Sequence, residues 1–133
     1  MARSRNFGDW TFSYKVSTRT SHYGIKKRTI TFYRQSVKGG RRIRAGVVKL
    51  QEVSPNTPWG IHWETHCPVG LNKKFRRKGI GVWMYDRAIR EGTKDGYVTS
   101  SSAPTYDAER VWLSKKLRKK YDIKRKGYRY EVQ

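Results

Sequence analysis

Hydrophobic and polar residues alternate early in this chain. Trp10, Phe12, Tyr14 and Val16 are separated by single polar positions, the period of a strand with one buried face. Residues 17–27 lose that period, carry Ser, Thr and Gly24, and read as a loop or a broken turn. The β-branched and aromatic run 29–35 predicts a second strand. Lys38-Gly39-Gly40-Arg41 is a hairpin turn, and residues 43–50 return as a third strand that Pro55 and Pro58 end. Trp59 to His66 reads as a fourth strand, with Trp59, Ile61, Trp63 and Thr65 on one face and His62, Glu64 and His66 on the other.

The period then changes. Ile80, Met84 and Ala88 recur every four residues and Trp83 joins their side, which predicts a helix with one core-facing stripe and Gly92 as its C′ residue. Tyr97–Ser101 is a short fifth strand. Thr105 is the expected N-cap of a second helix, with Asp107 and Glu109 in its first turn and Ala108, Val111, Trp112, Leu117 and Tyr121 turned inward. Tyr128, Tyr130 and Val132 alternate as a last strand. The expected order is β-β-β-β-α-β-α-β.

Charge adds a partner to this picture. Thirty-one Lys and Arg stand against ten Asp and Glu, a net charge of +21 in 133 residues. Solubility needs far less, so a polyanion is implied: nucleic acid first, an acidic protein second, an anionic membrane surface third. With 35% hydrophobic and 14% aromatic residues the chain has enough apolar material to fold. A single domain over 1–133 is expected, with residues 1–8 a basic, flexible start. Cys67 is the only cysteine, which excludes an intrachain disulfide and suits a reducing cytoplasm. No apolar run is long enough to span a bilayer.

The candidate chemistry centres on Arg76-Arg77-Lys78-Gly79-Ile80-Gly81, where a glycine turn runs straight into the first helix. Glycines let a ligand approach the backbone, and a helix start offers free N–H groups and a positive dipole end. That combination favours phosphate; the plain alternative is a tight turn and nothing more.

From about Gly60 to Val132 these residues resemble the GNAT superfamily, the Gcn5-related N-acetyltransferases. Leu71-Asn72-Lys73-Lys74-Phe75-Arg76-Arg77-Lys78-Gly79-Ile80-Gly81 is similar to the family's strand end, its R/Q-x-x-G-x-G/A loop and the opening of its long helix. Thr99-Ser100-Ser101, Asp107-Ala108 and Val111-Trp112 resemble the strand and helix across the cofactor cleft. The resemblance implies an α+β fold with a mixed central sheet of about six strands, splayed between the fourth and fifth, and two main helices. It implies acetyl-coenzyme A in that opening, with Val69, Leu71, Arg76, Arg77, Lys78, Gly79, Ile80 and Gly81 as cofactor-binding residues. The family's first two helices, which help form its acceptor site, have no counterpart here. Where the family often carries a tyrosine general acid stands Trp112, and Tyr106 and Tyr121 are the nearby candidates.

Acetyl transfer to an amine needs a base for the amine proton, and Glu64, on the polar face of the strand leading to the loop, is the candidate. The plain alternative is a surface glutamate among many lysines. His62, Glu64 and His66 share a face but project in parallel, which ranks a metal site below scattered histidines. Cys67 is weighed as an acyl-accepting nucleophile and reads better as a small core residue. Five basic clusters exceed what one cofactor uses; Lys115, Lys116, Arg118, Lys119, Lys120, Lys124 and Arg125 are the expected nucleic-acid contacts. The reading is therefore an acetyl-coenzyme A-dependent N-acetyltransferase whose acceptor amine belongs to, or is bound to, a nucleic acid or nucleoprotein. The alternatives are a nucleic-acid-binding protein on a similar scaffold with altered or lost catalysis, and, without the resemblance, a basic α+β ribosome- or nucleic-acid-associated protein.

Overall fold

The computed structural model describes residues 3–53, 62–66, 79–94, 96–99, 106–127 and 129–132. The chain begins with an edge strand, β1 (Ser4–Phe7), where a frayed start was expected. Gly8, at φ 58, turns it directly into β2 (Trp10–Thr20), pairing Phe7 with Trp10. β3 (Lys26–Ser36) returns along the whole of β2, from Trp10 opposite Ser36 to Thr20 opposite Lys26. Most of residues 17–27 is thus strand and not loop. These residues escaped the alternation rule because Ser17–Thr20 are exposed whichever way they point, so the backbone ladder alone holds them. Only 21–25 form the turn, closed by the Ser21 N–H donating to Ile25 O at 2.9 Å.

β4 (Ile43–Val53) follows the Gly39-Gly40 turn, with a register shift between Phe32 and Tyr33. β5 (His62–His66) is antiparallel to β4 and parallel to β6 (Tyr97–Thr99). Between them runs α1 (Ile80–Thr93), capped by Lys94, so that Gly92 lies inside the helix and is not its C′ residue. The single helix expected after Thr105, itself outside the described residues, is two: α2 (Tyr106–Trp112) and α3 (Lys115–Lys120). Ser114 divides them, extended at φ −63 and ψ 145, its Oγ accepting from the Leu117 N–H at 3.4 Å. The basic run after Tyr121 becomes a strand, β7 (Ile123–Lys126), in a hairpin with β8 (Arg129–Val132).

Among the described residues eight strands join one sheet in the order β1-β2-β3-β4-β5-β6-β8-β7. This corrects the expected fold class. The sheet is not six strands splayed between two parallel members with two main helices. Its eight described strands pair antiparallel except β5 against β6, which are hydrogen-bonded neighbours from His62 and Tyr97 to Glu64 and Thr99. Only α1 is long, at 14 residues; α2 and α3 have 7 and 6. The expectation failed where polar strands show no apolar period and where Ser114 interrupts an otherwise helical run.

Register puts Phe12, Tyr14, Ile30, Phe32, Val48 and Leu50 on one face, all buried. α1 lies across that face. Trp83 meets Phe32 at 5.5 Å, Phe7 at 5.8 Å and Tyr14 at 6.0 Å between ring centroids. Such edge-to-face pairs each add about 0.5–1.5 kcal/mol beyond the area they bury. At its other end the Arg28 guanidinium donates to the Glu91 carbonyl at 2.6 Å, a cation on the helix's negative end. Moving from Trp83 to Glu91 thus retraces β3 from Phe32 to Arg28, so α1 runs antiparallel to β3 and β5. α2 joins the same side, with Trp112 set between Tyr85 of α1 and Tyr130 of β8. Among the described residues no helix lies on the opposite face, and none is long and apolar enough to cross a membrane.

Candidate phosphate-binding site

Because α1 is antiparallel to β5, its first turn points toward the carboxyl ends of the parallel pair. In sheets with parallel strands that end is where ligands collect. Gly79 begins the helix in the left-handed region, at φ 80 and ψ −1, which side chains rarely adopt. Its carbonyl accepts from the Trp83 N–H at 3.1 Å and closes the first turn. Among the described residues no side chain caps this end, and its first turn has no acid. The helix therefore presents its positive end without the usual internal compensation.

A second positive charge faces it. The position a Gly79 Cβ would take lies 3.8 Å from the Lys116 Nζ. Lys116 belongs to α3, 37 residues on, and is held there by its neighbours. Leu117 is buried in the core, and the Tyr121 hydroxyl donates to Asp86 Oδ1 of α1 at 2.6 Å. Lys120 adds an ion pair to Asp86 Oδ2 at 3.0 Å. Val111 of α2 closes the side, 3.9 Å from where a Gly81 Cβ would stand. A cation set against a helix N-terminus is unfavourable by itself, by about 0.3–1 kcal/mol. An anion between the two would reverse the sign. The arrangement suits phosphate oxygens, which would take backbone N–H groups from one side and an ammonium from the other.

Of the expected cofactor residues, Gly79, Ile80 and Gly81 form this turn, with Ile80 buried beneath it. Val69, Leu71, Arg76, Arg77 and Lys78 lie outside the described residues, as does Cys67. Glu64 stands in β5 at the register position of Gln51 and Thr99. Tyr106 is the first residue of α2. Tyr121 is tied down: burial, and then the hydrogen bond and charge of Asp86, push its phenol well above its ordinary pKa. A phenol donating to a carboxylate and so hard to ionise is a structural strut between α3 and α1, not a ready proton donor. Burial alone raises the Tyr85 phenol. Trp112 is fully buried, stacked on Tyr130 with planes 10° apart, and serves the core.

The basic residues separate in the same way. Lys115, Lys116, Arg118 and Lys119 are exposed, whereas Lys120 is committed to Asp86. Lys124 lies loosely by Asp122, at 3.9 Å, and Arg125 donates to the Gly127 carbonyl at 3.2 Å. Sequence reasoning missed Asp86, which organises the contact between the helices, and missed that Lys116 belongs with Gly79. Nothing local marks either; both depend on α3 folding back over α1. In comparisons with known protein families, curated proteins and solved structures, the chain matches none.

Proposed function

We propose that this chain is a cytoplasmic, coenzyme A-dependent N-acyltransferase acting on an amine of, or bound to, a nucleic acid or nucleoprotein. One observation carries the proposal: the left-handed Gly79 turn opens an acid-free helix start, uncapped among the described residues, with Lys116 beside it. The pyrophosphate of acetyl-coenzyme A supplies the charge that this arrangement lacks. Its thioester then extends toward the ends of β5 and β6. The resemblance of residues 60–132 to the Gcn5-related N-acetyltransferases points the same way.

In this reading the acceptor amine attacks the thioester carbonyl carbon. Glu64, or a water it orients, takes the amine proton. Backbone N–H groups between Cys67 and Leu71 polarise the carbonyl oxygen. The carbon–sulfur bond breaks and Tyr106 returns a proton to the departing thiolate. The exposed cations Lys115, Arg118 and Lys119 of α3 receive the polyanion that brings the amine.

A second reading, a nucleic-acid-binding protein with altered or lost catalysis, is favoured by the burial of Trp112 and the engagement of Tyr121 with Asp86. Thermal unfolding with acetyl-coenzyme A separates the two. Cofactor at a hundredfold its Kd should add about 2.7 kcal/mol of stability, and Gly79→Glu should abolish the gain. No stabilisation would refute cofactor binding. Stabilisation without transfer to any amine-bearing nucleic acid or nucleoprotein would favour the second reading.

A further inference from the structure

The face of the sheet opposite the helices carries its own charge pattern. On β2 it presents Thr11, Ser13, Lys15, Ser17 and Arg19, and on β3 and β4 their register partners. Across these three strands the face holds five cations, Lys15, Arg19, Lys27, Arg44 and Lys49, all exposed, and no acid. The remaining positions are Ser, Thr, Gln, Tyr33 and Val47. Arg19 stands directly opposite Lys27, a like-charge pair that destabilises an antiparallel ladder. Tyr33 stands opposite Arg44, and the Arg42 guanidinium lies over the Tyr33 ring at 4.6 Å.

Strand spacing of about 4.8 Å and a rise of about 3.4 Å make this band roughly 10 Å wide and 20 Å long. The charges run in one zig-zag from Arg19 and Lys27 through Lys49 and Lys15 to Arg44. Two of the cations stand on β2 and two on β4, about 10 Å apart, with Lys27 between them on β3, a band no wider than one phosphate backbone needs. Hydroxyls and amides between the cations can donate to phosphate and sugar oxygens, and Tyr33 with its guanidinium offers a flat surface for a base.

We infer that this exposed face docks a single-stranded nucleic acid, held by its phosphates without sequence preference. The surface lies on the other side of the sheet from the Gly79 turn, so its cations are not those that would hold coenzyme A, although Glu64, the register partner of Gln51, borders it on β5. The test is amine-reactive footprinting of the full chain with a fluorescein-labelled oligothymidylate, together with anisotropy titrations across a salt series. Bound oligonucleotide should protect Lys15, Lys27 and Lys49 from modification. The variant Lys15→Ser, Arg19→Ser, Lys49→Ser should bind at least tenfold more weakly. It should also lose about 2 from the slope of log K against log salt, at ~0.7 per phosphate contact. The variant Lys115→Ser, Arg118→Ser, Lys119→Ser removes equal charge from α3 and should leave the three sheet lysines protected. Both variants should unfold at the parent temperature, since all substituted side chains are exposed. Unprotected sheet lysines, or equal affinity losses in the two variants, would overturn the inference. Tighter binding of a duplex with the same protection would overturn the assignment to a single strand.

Discussion

Lys116→Ala isolates the charge that faces the long helix. The ammonium stands 3.8 Å from the position of a Gly79 Cβ, so a phosphate at the helix start would lie about 4 Å from it. At that separation one unit charge is worth about 1 kcal/mol in bulk water and about 4 kcal/mol at an effective permittivity near 20. Lys116 is exposed, which selects the lower part of that range. A loss of about 1–2 kcal/mol in coenzyme A affinity follows, roughly a five- to thirtyfold rise in Kd. Calorimetric titration at about 50 and 200 mM salt reads this directly, and the gap between parent and variant should narrow as salt rises. The folded state should gain slightly, because the ammonium opposes the helix dipole in the free protein. Gly79→Ala should act differently. Its Cβ meets nothing closer than the flexible lysine tip, but the left-handed backbone costs about 1–2 kcal/mol of stability. An unchanged Kd in Lys116→Ala, with coenzyme A still bound, would refute the placement of phosphate between Gly79 and α3.

Three further outcomes follow from the packing. Tyr121→Phe should cost about 1 kcal/mol at neutral pH by removing the hydrogen bond to Asp86. The folded pKa of Tyr121 lies above its unfolded value of about 10, so its stabilisation is intact below that pH and is lost as pH rises beyond it. Melting temperature between about pH 9 and 11 should accordingly fall less steeply in Tyr121→Phe than in the parent; identical slopes would contradict the strut. Arg28→Ala should cost about 1–2 kcal/mol and speed amide exchange at Arg90–Lys94 while leaving the first turn of α1 protected, whereas uniform loosening would count against a local clamp. Trp112→Ala, which empties a fully buried site between Tyr85 and Tyr130, should cost about 3–5 kcal/mol in urea titration, and a loss below 1 kcal/mol would show that α2 is not part of the core.

The core was legible where one face is buried. Phe12, Tyr14, Ile30 and Phe32 lie on the covered face, as alternation requires, and Ile80, Met84 and Ala88 lie inward, as their fourfold spacing requires. Elsewhere the pattern was silent. β1, the outer half of β2 and β7 carry polar residues on both sides, so their pairing is decided by neighbouring backbone and leaves no apolar period. The break between α2 and α3 rests on Ser114, which reads in sequence as one helical residue among many and acts in the structure as a cap. Asp86 occupies an ordinary position on α1; its burial beneath Tyr121 and Lys120 appears only when α3 is laid against it.

By itself the sequence determined the meander and the helix-opening turn at Gly79, because alternation and glycine act locally. Tertiary structure decided what each charge does. Lys120 is spent on a buried aspartate, Lys116 guards a helix start, and Lys15, Arg19 and Lys49 stand exposed on the sheet. These lysines and arginines are chemically interchangeable along the chain. They become different only through the carboxylate, dipole or open face that folding sets beside them, and such distances are properties of the packed chain rather than of any segment of it.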